Sequence, residues 1–272
     1  MRRPLVLLCA LTLVAASPRF CVVTVTSLDS QYLLDGDGQA SLAYSIGSQA
    51  MYAAKHNYSF HLVATVAAGA EPWVKRLDWK RHYTVRALLD GDDCDWVMAT
   101  EGDVIITNLT TPLSTFVDEA SAKLGRHAAL IVNRDTFGNV NTGTFFVRRC
   151  EAGRRFLDRV SEVRYQNSTD KRVVAWGANG GIIVALEEAD DSLSRDAVLL
   201  NSSRFNAYRE EWQPGMFMRH FAAVKPKGPA ILAFVADFPP YTWPGYDTAL
   251  FVPPKKTCTS RSWFRRGGCY NM

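Results

Sequence analysis

The chain has 272 residues, 47% hydrophobic and 21% charged, an ordinary globular composition with length enough for one large core or two small ones. Its formal net charge of +4 is weak, and no basic run interleaved with aromatics marks a nucleic-acid binder.

In chain order, Arg2 and Arg3 precede an apolar run, Pro4 to Ala16, closed by the small residues Ala15, Ala16 and Ser17. The run is too short for a bilayer core of roughly 30 Å at about 1.5 Å per residue. Residues 1–17 therefore read as a secretory signal peptide, with an uncleaved anchor as the alternative, and the expected location is the secretory pathway, the Golgi lumen or outside the cell. Phe20 to Thr26 (FCVVTVT) is β-branched and continuous, a strand buried on both faces. Ser41 to Lys55 reads as helix, His61 to Thr65 as strand, Trp79 to Leu89 as helix and Cys94 to Ala99 as strand. Thr111-Pro112 predicts a helix start, with Thr as N-cap and Pro at the first helical position. Leu113, Phe116, Val117, Ala120 and Leu124 then share one face, and Gly125 is the stop.

Ala128 to Val132 and Gly143 to Val147 read as strands, and Glu151 to Val163 as a helix turning Phe156, Leu157, Val160 and Val163 inward. Gly180 to Leu186 fits either element, and Phe217 to Ala222 reads as a final strand. The alternation predicts an α/β sheet with helices on both faces across residues 18–238, followed by an irregular tail over 239–272 that wraps the domain.

Four Asn-x-Ser/Thr triplets, at Asn57, Asn108, Asn167 and Asn201, are candidate glycosylation sites. Of six cysteines, Cys9 lies in the signal, and Cys258 and Cys269 flank a short basic loop as the expected disulfide. Cys21, Cys94 and Cys150 remain, an odd number, so at least one is free; Cys21 reads as a buried free thiol on the first strand. No Cys-x-x-Cys pair suggests zinc.

The candidate chemistry begins at "MATEGDVIITN", residues 98 to 108. On an extended segment Glu101 and Asp103 point the same way, and burying both without a partner costs several kcal/mol per ion. A divalent cation removes that cost, and Gly102 lets a ligand approach the backbone between them. The end of a strand in an open α/β sheet is also where ligands bind. The competing reading is a polar turn between two strands. Asp35-Gly36-Asp37 has the same spacing but fails as a calcium loop, with Ala40 at position six and Ile46 at position twelve. No Gly-x-Gly-x-x-Gly follows the first strand, which argues against a dinucleotide-dependent dehydrogenase, and no second clearly placed carboxylate supports a glycosidase.

Three segments carry a family resemblance: "TEGDVIITN", "NVNTGTFFVRRCEAGRRFLDRV" (Asn139 to Val160) and "FNAYREEWQPGMFMRHFAAVKPKG" (Phe205 to Gly228). Together they resemble the Golgi galactosyl-, mannosyl- and xylosyltransferases, the group of fungal α-galactosyltransferases and plant xyloglucan xylosyltransferases. The resemblance runs in order from Trp79 to Lys227. It implies a GT-A type fold and transfer of a hexose or pentose from a nucleotide-diphosphate donor, UDP- or GDP-linked, to a glycan or glycoprotein, with retention. It implies that Glu101, Asp103 and His220 hold a metal, for which a mixed carboxylate and imidazole set suits manganese, and that Lys225 adds a charge to the donor phosphates. Asn141, Thr142 and Gly143 either line the sugar pocket or form a turn feeding a strand, and Arg81 and His82 are placed to reach the donor. The sequence departs from the family pattern at three places. Glu101 stands for Asp, Met216 stands for Asp, and in "VAWGANGGIIV" Gly177 and Ala178 replace acids, with Asn179 in the place of Gln at the candidate catalytic position. Loss of that acid raises a second reading, a catalytically weak relative that binds sugar nucleotide or glycan as a partner subunit.

Overall fold

The structure, a computed structural model, describes residues 17–27, 36–65, 77–91, 93–136, 138–166, 169–187 and 195–247. The predicted signal segment, Asn167 and the Cys258–Cys269 pair lie outside the described residues.

The strands described are β1 (Phe20–Ser27), β2 (Ser59–Thr65), β3 (Trp96–Glu101), β4 (Val104–Ile106), β5 (Leu130–Arg134), β6 (Val140–Arg148), β7 (Ala197–Asn201) and β8 (Met218–His220). The helices described are α1 (Gly36–Lys55), α2 (Leu77–Asp90), α3 (Ser114–Leu124), α4 (Glu151–Gln166), α5 (Lys171–Trp176), α6 (Ala178–Glu187), α7 (Ser202–Phe205) and α8 (Lys227–Asp237). Six strands form one sheet in the order β2-β1-β3-β6-β5-β7. β1 runs parallel to β2 and β3, β7 runs parallel to β5, and β6 is antiparallel to both its neighbours.

The sheet is covered on both faces, and alternate residues of one strand feed different cores. Val22, Met98 and Phe146 pack with Tyr52 of α1, Phe116 of α3 and Phe234 of α8. Val23, Val97, Phe145 and Val147 pack with Leu89 of α2, Phe156 and Val160 of α4 and Ile182 of α6. A period of two with both phases buried gives the continuous apolar strand runs of the sequence. Among the described residues no helix is long and apolar enough to cross a membrane.

Several boundaries differ from expectation for identifiable reasons. α3 starts at Ser114 with Leu113 as N-cap, not at Thr111, because the preceding turn closes by Thr115 N to Pro112 O and Phe116 N to Leu113 O, bonds of i to i+3 type. Gly125 does end the helix, at φ 68°. The segment from Gly180 is helical within α6; a Cβ on Gly181 would lie 2.7 Å from the Trp79 ring, so the two elements pack closer than a side chain allows. The expected last strand is only three residues long and pairs with β4, outside the main sheet. Within residues 239–247 Pro240–Thr242 form a 3-10 turn, Trp243 is buried and Pro244 O accepts from Leu109 N; residues 248–272 of the expected tail lie outside the described residues.

Cys21 is not a free thiol: it is disulfide-bonded to Cys94, across the start of β1 and the turn before β3, while Cys150 is free. Parallel neighbours place these two side chains together, which no local spacing reveals, because they are 73 residues apart in sequence. Closing a loop of that length restricts the unfolded chain by about 4 kcal/mol. Cys94→Ser is expected to lower the unfolding free energy by that order, read as a fall in the urea midpoint at unchanged slope.

Candidate active site

The acidic segment is not a continuous strand. β3 ends at Glu101, Gly102 and Asp103 turn, and β4 begins at Val104. Three buried polar residues on one side of α1 stabilise this break. Gln49 Nε2 donates to Glu101 O (3.1 Å) and Val104 O (2.8 Å), Ser45 Oγ donates to Gly102 O, and Ser48 Oγ accepts from Ile106 N (3.0 Å). Backbone groups that lose sheet partners in a buried turn need such replacements. Gly102 faces α1, not the cavity: a Cβ there would sit 3.3 Å from Leu42 Cδ1. Its lack of a side chain serves the close packing of α1.

β8 brings the histidine in. Val104 pairs with His220, and Phe221 N donates to Asp103 O at 3.1 Å. His220 Nε2 therefore lies 3.0 Å from Glu101 Oε2 and 3.5 Å from Asp103 Oδ1. One ligating atom from each of the three residues falls within 4.8 Å of the others. Two carboxylates and an imidazole at such separations are a donor set that suits a divalent ion.

Two cations complete the cluster. Arg81, 2% exposed on α2, sets NH1 3.2 Å from Glu101 Oε1 and 3.3 Å from Gly143 O. Lys227, at the start of α8, places Nζ 2.5 Å from Asp103 Oδ2. Lys225, the expected phosphate-binding residue, is exposed two positions earlier, and Lys227 is the ammonium that reaches the acids. His82, also considered for the donor, is buried and stacked on Phe145.

Burial alone would raise the pKa of both acids. For Glu101 the Arg81 charge and the His220 hydrogen bond outweigh it; for Asp103 the His220 and Lys227 charges do. Both acids are held below their ordinary range. Burial would lower His220, but Asp103 and Glu101 overcome it and raise the imidazole to about 9.

The Asn-Thr-Gly stretch lines the same cavity, of about 270 Å³, but its side chains are already engaged. Asn141 Oδ1 accepts from Gly143 N and Asn206 Nδ2, both at 2.8 Å, and its Nδ2 donates to the Tyr208 hydroxyl. Asn179 Oδ1 accepts from Thr142 N (2.9 Å) and Thr142 Oγ1 (3.0 Å), and its Nδ2 donates to Val140 O (3.0 Å). Asn179 thus braces the start of β6 rather than reaching freely into the cavity. Gly143 is required by the histidine: a Cβ there would meet His220 Cε1 at 2.2 Å and Nδ1 at 2.6 Å.

Of the residues read from sequence, the structure gathers Glu101, Asp103, Asn141, Thr142, Gly143, Asn179 and His220 around one cavity. Sequence reading missed Lys227, Gln49, Ser45, Asn206 and Tyr208. A signal existed for two of them: Ser41, Ser45, Ser48 and Gln49 recur at helical spacing on one face of α1, and all four are buried.

Residues 103–230 match the model of the galactosyl transferase GMA12/MNN10 family, a stretch that starts at Asp103, two residues after Glu101. Among curated proteins none matches the chain in sequence. A solved glycosyltransferase involved in glycosylation of the major capsid of PBCV-1 is similar in fold, with TM-score 0.60 at 11% identity, over 79% of this chain and 100% of that one. The galactosyltransferase LgtC, solved with donor and acceptor sugar analogs, aligns over 80% of this chain and 95% of its own at 14% identity, with TM-score 0.48. The mostly parallel six-stranded sheet with helices on both faces is a GT-A type fold.

Proposed function

From the match of residues 103–230 to the model of the galactosyl transferase GMA12/MNN10 family, we propose that the chain is a metal-dependent glycosyltransferase. It would move a hexose or pentose from a nucleotide-diphosphate donor to a glycan or glycoprotein, with retention. The observation that carries this reading is the convergence of Glu101, Asp103 and His220 within 4.8 Å at the carboxyl end of β3. These three residues would hold the ion, manganese by the chemistry of the set, and the bound ion would supply positive charge to the departing diphosphate.

The chain's own groups do the rest. Arg81 fixes Glu101 and the Gly143 carbonyl in one orientation. Lys227 brings a positive charge beside Asp103, where phosphate oxygens would gather. Asn141 and Asn179 hold the floor at the start of β6 rigid, which preserves the orientation a reacting sugar needs. Retention would follow if the acceptor hydroxyl attacks from the face the diphosphate leaves, its proton passing to the leaving oxygen.

One observation favours the second reading, a weakly active or purely binding relative. The acids lining the cavity are Glu101 and Asp103, with Trp176 and Asn179 on the wall where the family places another. A thermal-shift screen of UDP- and GDP-sugars separates the readings. One nucleotide sugar is expected to raise Tm in manganese and to lose that effect in EDTA, by linkage to the folded state. Nucleotide release should then follow in the same mixture. A donor that binds but is never cleaved favours the second reading; no shift with any donor sinks both.

The secretory reading fits two of the acceptor triplets. Asn57 and Asn201 are exposed, whereas the Asn108 amide nitrogen donates to Gly215 O at 2.9 Å. We place the chain in the secretory pathway, with glycans on Asn57 and Asn201.

A further inference from the structure

The cavity beside the acids is chemically divided. Its charged residues come from the β3–β4 turn, β8 and the start of α8, while the α5–α6 junction contributes Trp176 and Asn179 and no charge. Trp176 lines this cavity and is 50% exposed. Its indole nitrogen has no hydrogen-bond partner among the described residues. Trp79, Trp96 and Trp243, by contrast, are buried.

The backbone holds Trp176 there. Gly177 ends α5 at φ 59° and ψ −129°, a conformation open to glycine and strained for other residues, and donates its N–H to Val173 O. α6 begins at the next residue, and α5 and α6 pack so closely that a Cβ on Gly180 would lie 2.1 Å from Arg172 O. The break at Gly177 therefore ends α5 at the cavity rim, with Trp176 in its lining.

Polar recognition on this wall is already committed, because Asn179 makes three hydrogen bonds within the protein. What remains is a flat apolar face. We propose that Trp176 is the platform on which the acceptor sugar stacks, taking a neutral pyranose by its C–H face. The charged wall is left to the nucleotide diphosphate. This inference rests on the transferase reading above, and it adds a residue that selects the acceptor by ring shape rather than by hydroxyl pattern.

The test compares wild type, Trp176→Ala and Trp176→Phe with UDP and manganese present. Binding of methyl hexopyranosides and xylo-oligosaccharides is followed by saturation-transfer NMR, and donor binding by thermal shift. For the glycosides that bind wild type, Trp176→Ala is expected to weaken binding about tenfold or more and Trp176→Phe by about threefold or less. The Tm shift given by the nucleotide sugar should stay the same in all three proteins. Equal glycoside binding by Trp176→Ala, no glycoside binding by wild type, or a loss confined to the donor would each overturn the proposal. The transferase reading fails separately, if no nucleotide sugar shifts the wild-type Tm.

Discussion

Asp103→Asn should abolish sugar transfer, lowering it by about a thousandfold or more while the chain still folds. Asp103 faces His220 Nε2 at 3.5 Å through Oδ1 and Lys227 Nζ at 2.5 Å through Oδ2, with its side chain only 12% exposed. An amide of the same shape keeps one oxygen and presents an NH2 group to one of two positively charged neighbours. It removes an anionic ligand from the proposed ion site and leaves Lys227 short of its counter-charge. The expected cost in stability is about 3 kcal/mol, the low end for removing one partner of a buried pair. Manganese binding, followed by the loss of the free-ion signal in electron paramagnetic resonance, should weaken alongside transfer. Asp118→Asn, on the exposed side of α3, is the matched control and should change neither.

The same substitution makes a prediction about pH that does not depend on turnover. In the metal-free protein His220 titrates near 9, above its ordinary 6.5, because Asp103 and Glu101 outweigh the effect of burial. A raised folded-state pKa contributes stability that is complete below about 6.5 and is lost as pH climbs through about 9. Removing the Asp103 charge should lower the pH midpoint of the imidazole in an NMR titration and flatten the decline of Tm on the alkaline side. A folded Asp103→Asn protein that keeps transfer within about threefold of wild type would show that the acids are not the reaction centre.

Strand and helix types were legible in this sequence where burial imposed a period. Phe20–Ser27 and Glu151–Gln166 are long, their apolar positions recur regularly, and both were readable nearly to their ends. α8 was not read because Gly228-Pro229 looks like a helix breaker, yet both fall in the first turn, where the missing N–H costs nothing. β7 is a five-residue edge strand and too short for a clear period. In the site, Glu101, Asp103 and His220 were recognisable because a family pattern links them across more than a hundred residues. Lys227 was not, because the pattern points to Lys225 and only the course of the chain into α8 decides which ammonium returns to the acids. The amides of Asn141 and Asn179 were visible as sugar-pocket candidates, but their engagement with Asn206, Tyr208, Thr142 and Val140 depends on tertiary register that no spacing encodes.

Gly143→Ala tests whether that register sets the position of the histidine. The added methyl would lie 2.2 Å from Cε1 and 2.6 Å from Nδ1 of His220, far inside contact distance. His220 has little room to yield. Its backbone N donates to Ala207 O at 2.8 Å, its residue pairs with Val104, and its ring lies 5.8 Å from that of Tyr208. Either the imidazole swings away from Glu101 and Asp103 or β6 moves off β3, where Thr100 and Thr144 share a hydrogen bond at 2.9 Å. Overpacking of this kind costs about 1–3 kcal/mol, and a ligand displaced by about 1 Å loses transfer by about a hundredfold. Gly125→Ala separates the two effects: at φ 68° the new residue is strained, but nothing lies within 4 Å of its Cβ. That variant should lose about 1 kcal/mol of stability and keep full transfer. If Gly143→Ala instead matched Gly125→Ala, less stable but equally active, the contact between Gly143 and the imidazole would have no part in holding the site.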